Sequence, residues 1–177
     1  MAASRINNSV ISRVRSGESG QALLEFALIA SIMIILALGV IDLGRAIFDK
    51  EVLSDLSRSG SNLASRGASL SAAASAVITQ PSDLNMASNG LVIVTAVTNN
   101  AGSITITGQA SQGGISGSSR IGGLGGRATL PVTVPPIPPA GQTVYVTEVF
   151  YTFSPITPIG KFMSIVFPST LYDVAYF

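Results

Sequence analysis

The chain has neither cysteine nor histidine among its 177 residues. The first absence excludes disulfides, zinc–thiolate sites and thiol nucleophiles; the second removes the commonest general base. Charge is also scarce: 11% of residues are charged and the net charge is +1, so the broad basic field that nucleic-acid binding needs is missing and no nucleic-acid partner is expected. After Arg58, seven charged residues remain in 119 positions, amid abundant Ser, Thr, Gly and Ala. Such a surface suits close packing against copies of itself or other proteins, and equally suits an ordinary small secreted β domain.

The few reactive groups form no constellation. Lys50 and Lys161 are the only lysines, and neither sits in a nucleophile motif. Beyond the N-terminal helical region the acids are Asp83, Glu148 and Asp173, too dispersed for a calcium loop or a carboxylate pair. Gly123-Leu124-Gly125-Gly126-Arg127-Ala128 fits a dinucleotide fingerprint only superficially, because no strand precedes it and no helix follows. The expectation is a protein that is not an enzyme and that uses no cofactor and no metal.

What is present is a long apolar run. From Leu23 to Ile41 only Glu25 and Ser31 interrupt it, and its length matches the roughly 20 residues that cross a bilayer. Twelve Leu, Ile, Phe and Val side chains lie in this window. At about −0.3 to −0.6 kcal/mol each they outweigh the roughly +3 kcal/mol of one mid-membrane acid. The bilayer is thus the first expected partner. Arg5, Arg13 and Arg15 precede the run against Glu18, whereas mixed charges follow it, so residues 1–20 are expected in the cytoplasm and the rest beyond Ile41 is exported.

The pattern divides the chain into a leader (1–20), a long helix (21–80, membrane-spanning over 21–41 and amphipathic over 42–80) and an exported β-rich domain (81–177). Leu53, Leu56, Gly60, Leu63, Gly67 and Leu70 alternate spacings of three and four, one stripe of a helix that needs a partner. Gly60 and Gly67 each cost about 1 kcal/mol of helix propensity relative to Ala, so fraying or bending is expected there. If unbroken, the helix runs to Ile78, and Gln80-Pro81 ends it. Asp42 and Arg45, three apart at the exit, can pair along the helix or contact headgroups, and the solvated helical pair is the expected reading. A short helical turn is expected after Ser82-Asp83-Leu84, with Asn89-Gly90 as its exit. Strands are expected over 91–98, 103–107, 143–153, 165–167 and 171–176, the first two joined through Asn99-Asn100-Ala101-Gly102. Between them lies a Gly/Pro-rich loop, 111–141, in which residues 111–127 with their seven glycines read as flexible and Pro131 to Pro139 as an extended stretch that resists becoming a central strand. The sum is an α+β fold in which a small antiparallel sheet buries the stripe of the long helix.

Three readings compete for the N-terminus. An uncleaved signal anchor needs only the apolar run and makes the chain a bitopic surface or periplasmic binding or adhesion subunit. A conventional signal peptide is cut after the small-x-small triplet Ala37-Leu38-Gly39. A prepilin-type signal is cut on the cytoplasmic side, between Gly20 and Gln21. Gly20-Gln21-Ala22-Leu23-Leu24-Glu25 resembles the prepilin-peptidase site of type IV pilin-like proteins. More narrowly, Gly20 through Leu28 and Gly39 through Arg45 are similar to the TadE-like pseudopilins of tight-adherence (Flp) pilus systems, with a softer likeness at Val149 to Pro155.

That resemblance implies a type IV pilin-like fold, processing at Gly20 and Gln21, and assembly guided by Glu25 and Phe26 in the inner (cytoplasmic) membrane. Its implied partners are the prepilin peptidase, other pilin or pseudopilin subunits and the pilus assembly machinery. The freed amine of Gln21 would be offset by Glu25 of a neighbouring subunit, since an acid in an apolar assembly is tolerable only when paired. Ala27, Ala30, Ser31, Ala37 and Gly39 offer small-residue surface for lateral packing of membrane helices, although small residues are common in such helices anyway.

Overall fold

In the computed structural model of the chain, residues 8–80, 83–130, 138–158, 160 and 169–177 are described, with side chains from Gly20 onward. Two helices, one short helical turn and four strands follow in the order α1 (Asn8–Ser65), α2 (Leu70–Thr79), α3 (Met86–Asn89), β1 (Gly90–Asn100), β2 (Ser103–Gly113), β3 (Thr143–Thr152) and β4 (Thr170–Tyr176). The strands form one antiparallel sheet in the order β2-β1-β3-β4. The architecture is α+β, as the sequence pattern implies: a long N-terminal apolar helix packed on a small antiparallel sheet.

The stripe of α1 finds its partner on one face of that sheet. Leu53, Leu56 and Ala64 of α1 and Ala73, Ala74 and Val77 of α2 share a core with Val92, Val94, Val149, Tyr151 and Leu171. Strand alternation explains the choice, because every second side chain of β1 and β3 points to the helices. Polar links reinforce the seam between α1 and β4. Lys50 Nζ lies 2.6 Å from Asp173 Oδ1 and also donates to the Tyr172 carbonyl. Ser57 Oγ donates to Asp173 Oδ2 at 2.7 Å, and Ser61 Oγ to the Ala175 carbonyl at 2.8 Å.

The helix does not persist to Ile78: it breaks at Gly67, one of the two glycines where fraying or bending is expected, and continues as a second helix. At Gly67 the backbone takes φ +95°, Gly67 N–H donates to the Ala64 carbonyl at 3.1 Å and Ala68 N–H to the Leu63 carbonyl at 3.1 Å. This pairing is a glycine-terminated helix end that satisfies the last carbonyls. Ser69 then caps α2, its Oγ accepting from Ala72 N–H at 3.2 Å. The bend lets α2 fold back over β1 and β2 while α1 covers β3 and β4. Gly67 is accordingly exposed at the corner, and Leu63 and Leu70 are half-buried rather than central.

Two further expectations change in extent. β2 runs to Gly113, so the first residues of the Gly-rich stretch belong to the sheet. The β1–β2 connection is a two-residue turn at Ala101 (φ +53°) and Gly102 (φ +95°), the positive pair that a twisted hairpin requires. The strand expected at 165–167 lies outside the described residues.

Close approach of α1 to the sheet is set at Gly60, where an added Cβ would stand 2.7 Å from Thr147 Cγ2 and 3.0 Å from Val77 Cγ2. Gly44, on the same helix, has no atom within 4 Å of such a carbon. Gly60→Val is therefore expected to destabilise by about 1–3 kcal/mol through overpacking. Gly44→Ala is expected to gain up to about 1 kcal/mol of helix propensity. Thermal unfolding of the full-length protein in detergent checks the pair, and equal effects at the two sites would contradict this packing.

Candidate membrane and assembly site

From Gly20 to Ile41 no residue is buried. Leu23, Phe26 and Ile34 are 69%, 70% and 59% exposed, a load of apolar surface that no other described element covers. Among the described residues, α1 is the one helix long and apolar enough to cross a membrane. Its backbone is helical on both sides of Gly20 and Gln21, so that pair lies within continuous helix.

At the mouth of the run, Gln21 Nε2 donates to Glu25 Oε1 at 3.1 Å, one turn apart and exposed. The acid expected to meet a partner subunit is thus already held beside residue 21 of its own chain. Phe26 and Ala27 follow on the surface, and Ser31 Oγ returns a 2.7 Å hydrogen bond to the Ala27 carbonyl, which removes its polarity from the helix surface. Ala30 and Gly39 are half-exposed and Ala37 is exposed, and an added Cβ at Gly39 would meet nothing within 4 Å. The structure brings Gln21 and Glu25 together and leaves the small residues unburied.

The other end of the run differs from the solvated pair that the sequence suggests. Asp42 is fully buried, and its partners come from the turn after β3. Its Oδ1 accepts from Ile156 N–H at 3.0 Å and Thr157 N–H at 3.2 Å, and its Oδ2 accepts from the Thr157 hydroxyl. Thr157 Oγ1 in turn accepts from Gly160 N–H at 3.1 Å. A side chain at residue 160 would collide with the Asp42 carboxylate and Pro155, so only glycine leaves room for the carboxylate there. The hydrogen bond from the Thr157 hydroxyl holds the Asp42 carboxyl below the usual carboxylate range against the opposing effect of burial, helped by the Thr157 and Ile156 amides and by Arg45.

One helical heptad further on, Asp49 is the counterpart. It is 3% exposed, its Oδ2 lacks a hydrogen bond, and Arg45 Nε stands 3.9 Å away. Burial pushes its carboxyl up, with Arg45 opposing, and burial followed by the Asp49 charge raises the neighbouring Tyr151 hydroxyl. One acid at the membrane exit is thus fully hydrogen-bonded, and the next is not.

The second sheet face carries an arrangement that sequence reasoning missed. Glu148 is fully buried there, accepting from Arg120 N–H at 2.8 Å, from the Tyr172 hydroxyl at 3.0 Å and from the Ser119 hydroxyl. Arg120 lies over the Tyr172 ring, 4.0 Å from its centre, and burial followed by the Glu148 charge raises the Tyr172 hydroxyl. Gln109 Nε2 adds a 3.1 Å bond to the Gly122 carbonyl, and Ile121 and Ala128 pack on Val97, Ile104, Ile106 and Val146. The stretch read as a flexible loop is, over 114–130, a cover pinned to the sheet. The apolar side chains scattered through it, Ile115, Ile121, Ala128 and Leu130, were the signal available in the sequence. Glu148 and Asp173 stand on opposite faces of the sheet, so the acids form no carboxylate pair.

A bare apolar helix of membrane-spanning length that continues into the core of a small sheet domain defines the class: an α+β protein carrying one N-terminal helix suited to membrane anchoring. Residues 20–62 match the family model described as TadE-like protein, so the chain is similar to that family over the helix that carries the motif and the first part of the buried stripe. The match supports a pilus-associated protein of the Tad type. No curated protein and no solved structure matches the chain.

Asp42 and Asp49 act on stability with opposite signs. The folded-state pKa of Asp42 is below its ordinary 3.8, so its contribution is complete above that value and is lost as pH falls through the lower folded one. Asp49 is raised above 3.8, so the fold weakens as pH rises through that window and the acid ionises. Asp49→Asn is expected to raise the unfolding midpoint at pH 7, by about 2–4 °C per kcal/mol recovered, and to change little near pH 3. Asp42→Asn lowers the midpoint at pH 7. Thermal scans at both pH values check the signs; a fall for Asp49→Asn at pH 7 contradicts the assignment.

Proposed function

We propose that this chain is a membrane-anchored minor pilin or pseudopilin that takes part in building a Tad (Flp-like) pilus. The observation that carries the reading is the Gly20-to-Glu25 motif at the mouth of an apolar helix that its own fold leaves bare, within the segment matched by the TadE-like family. Cytoplasmic peptidase cleavage between Gly20 and Gln21 removes the basic leader. A small residue at the scissile bond gives the peptidase close access to the backbone. Residues 23–41 then hold the protein in the inner membrane in a single pass, with the sheet domain on the exported side.

Cleavage creates a positive amine on Gln21. Glu25 is one turn away and already oriented toward residue 21 by the Gln21 side chain. In an assembly of parallel helices, the acid of one subunit offsets the amine of its neighbour, and that pairing selects one axial register. The small surface at Ala27, Ala30, Ser31, Ala37 and Gly39 lets neighbouring helices approach. Phe26 adds an apolar contact beside the acid. The role is structural rather than enzymatic, in keeping with the family.

Mass spectrometry and N-terminal sequencing of the mature protein test the reading. Gln21 is expected as first residue, with a mass that retains the free amine; Met1 or Val40 would instead select an uncleaved anchor or a conventional signal peptide. Glu25→Ala is expected to leave the protein membrane-bound and cleaved while filament assembly falls sharply, and normal assembly of that variant would remove the role given to the acid.

A further inference from the structure

The apolar surface of α1 does not end where the continuous apolar run ends. Beyond Ile41, the exposed residues of the next two turns are Leu43, Gly44, Ile47 and Phe48, all uncharged, with the three large side chains 50%, 56% and 49% exposed. The charged residues of the same turns face elsewhere: Asp42 and Asp49 are buried under the sheet domain, and Arg45 lies partly covered beside Asp49. The first freely exposed acid on this side of the helix is Glu51. Next to Asp42, whose carboxylate binds its backbone N–H, Ile156 adds a side chain that is 59% exposed.

We infer that this one-sided band, Leu43, Ile47 and Phe48 with Ile156 beside it, is a docking surface for the outer leaflet of the same membrane, so that the base of the sheet domain rests in the lipid interface. The inference rests on the membrane anchoring proposed above. Continuity argues for lipid as the occupant: the band is the uninterrupted extension of the bare span, on the same helix. Length agrees. Leu23 to Phe48 is 26 residues, about 39 Å of helix at 1.5 Å per residue. That exceeds the roughly 30 Å hydrocarbon core and fits within the 40–45 Å that includes the headgroup regions.

Burial supplies the reason that polar residues at this depth are tolerated. The Asp42 carboxylate is satisfied by Ile156 and Thr157 of its own chain, so it needs no water. Because one face of turns 42–48 is apolar and the other is the protein core, the domain has a preferred side toward the bilayer.

The absence of cysteine makes the test direct. Single-cysteine variants of the full chain at Ile34, Ile47, Phe48, Asp55 and Ile156 are spin-labelled and reconstituted at low density in phosphatidylethanolamine–phosphatidylglycerol vesicles. Collision rates with oxygen and with a water-soluble nickel chelate are then compared. Labels at 47, 48 and 156 are expected to show severalfold less nickel contact than the label at 55, with oxygen contact retained and 34 deepest. If 47 and 48 behave like 55 while 34 stays in lipid, the docking surface is refuted and the anchor stands. If 34 is also aqueous, the anchoring itself fails. Shielding of 47 and 48 from both reagents would mean that protein, not lipid, covers the band, and would also overturn the inference.

Discussion

One helix in this protein has to serve two solvents. In lipid the backbone N–H and C=O groups have no water to turn to, so a single spanning segment must satisfy them within a continuous helix. The same helix then becomes the central element of a sheet domain, whose core needs one of its faces from residue 42 onward. The change is abrupt. From Gly20 to Ile41 nothing is buried, and from Asp42 the positions that recur every three or four residues are covered.

That handover explains the polar residues at the exit. Asp42 would be costly at the end of an apolar run if it were left to itself. It is instead closed over by a turn from the far end of the domain, 114 and 115 residues away in the chain. The link ties the segment after β3 to the point where the helix leaves its apolar run. Lys50, Ser57 and Ser61 continue the fastening along β4. On the opposite face, the Gly-rich cover held by Glu148 leaves the central strands β1 and β3 buried on both sides over most of their length. A domain so fastened can transmit a displacement of the membrane helix to the sheet as one body.

Much of this was legible in the residues. The apolar run, the stripe through Leu53, Leu56 and Gly60, and the alternation at Ile104 and Ile106 report directly on periodicity and burial, and these gave the helix and most of the sheet. The bend at Gly67 was marked by glycine, yet its consequence depends on tertiary packing, because α2 turns back to cover β1 and β2. Asp42 and Glu148 were misjudged or missed for a common reason. An acid reads as solvated unless its partners are known, and those of Asp42 lie 114 and 115 residues away and those of Glu148 lie 24, 28 and 29 residues away. The Gly-rich segment read as flexible because composition hides the few apolar side chains that anchor it. At the N-terminus, the glycine and the acid were visible from the start; the Gln21–Glu25 bond shows how the helix orients them.

The central claim is that α1 passes from membrane to sheet domain without a break. Pulsed electron–electron double resonance between spin labels at Ile34 and Asp55, in the full chain reconstituted in bilayers, measures this directly. The two positions are 21 residues apart, about 32 Å along an unbroken helix. The account predicts a single narrow distribution near that distance, allowing for the label linkers. A broad distribution, or one centred well below it, would mean a hinge at the membrane exit and would contradict the account.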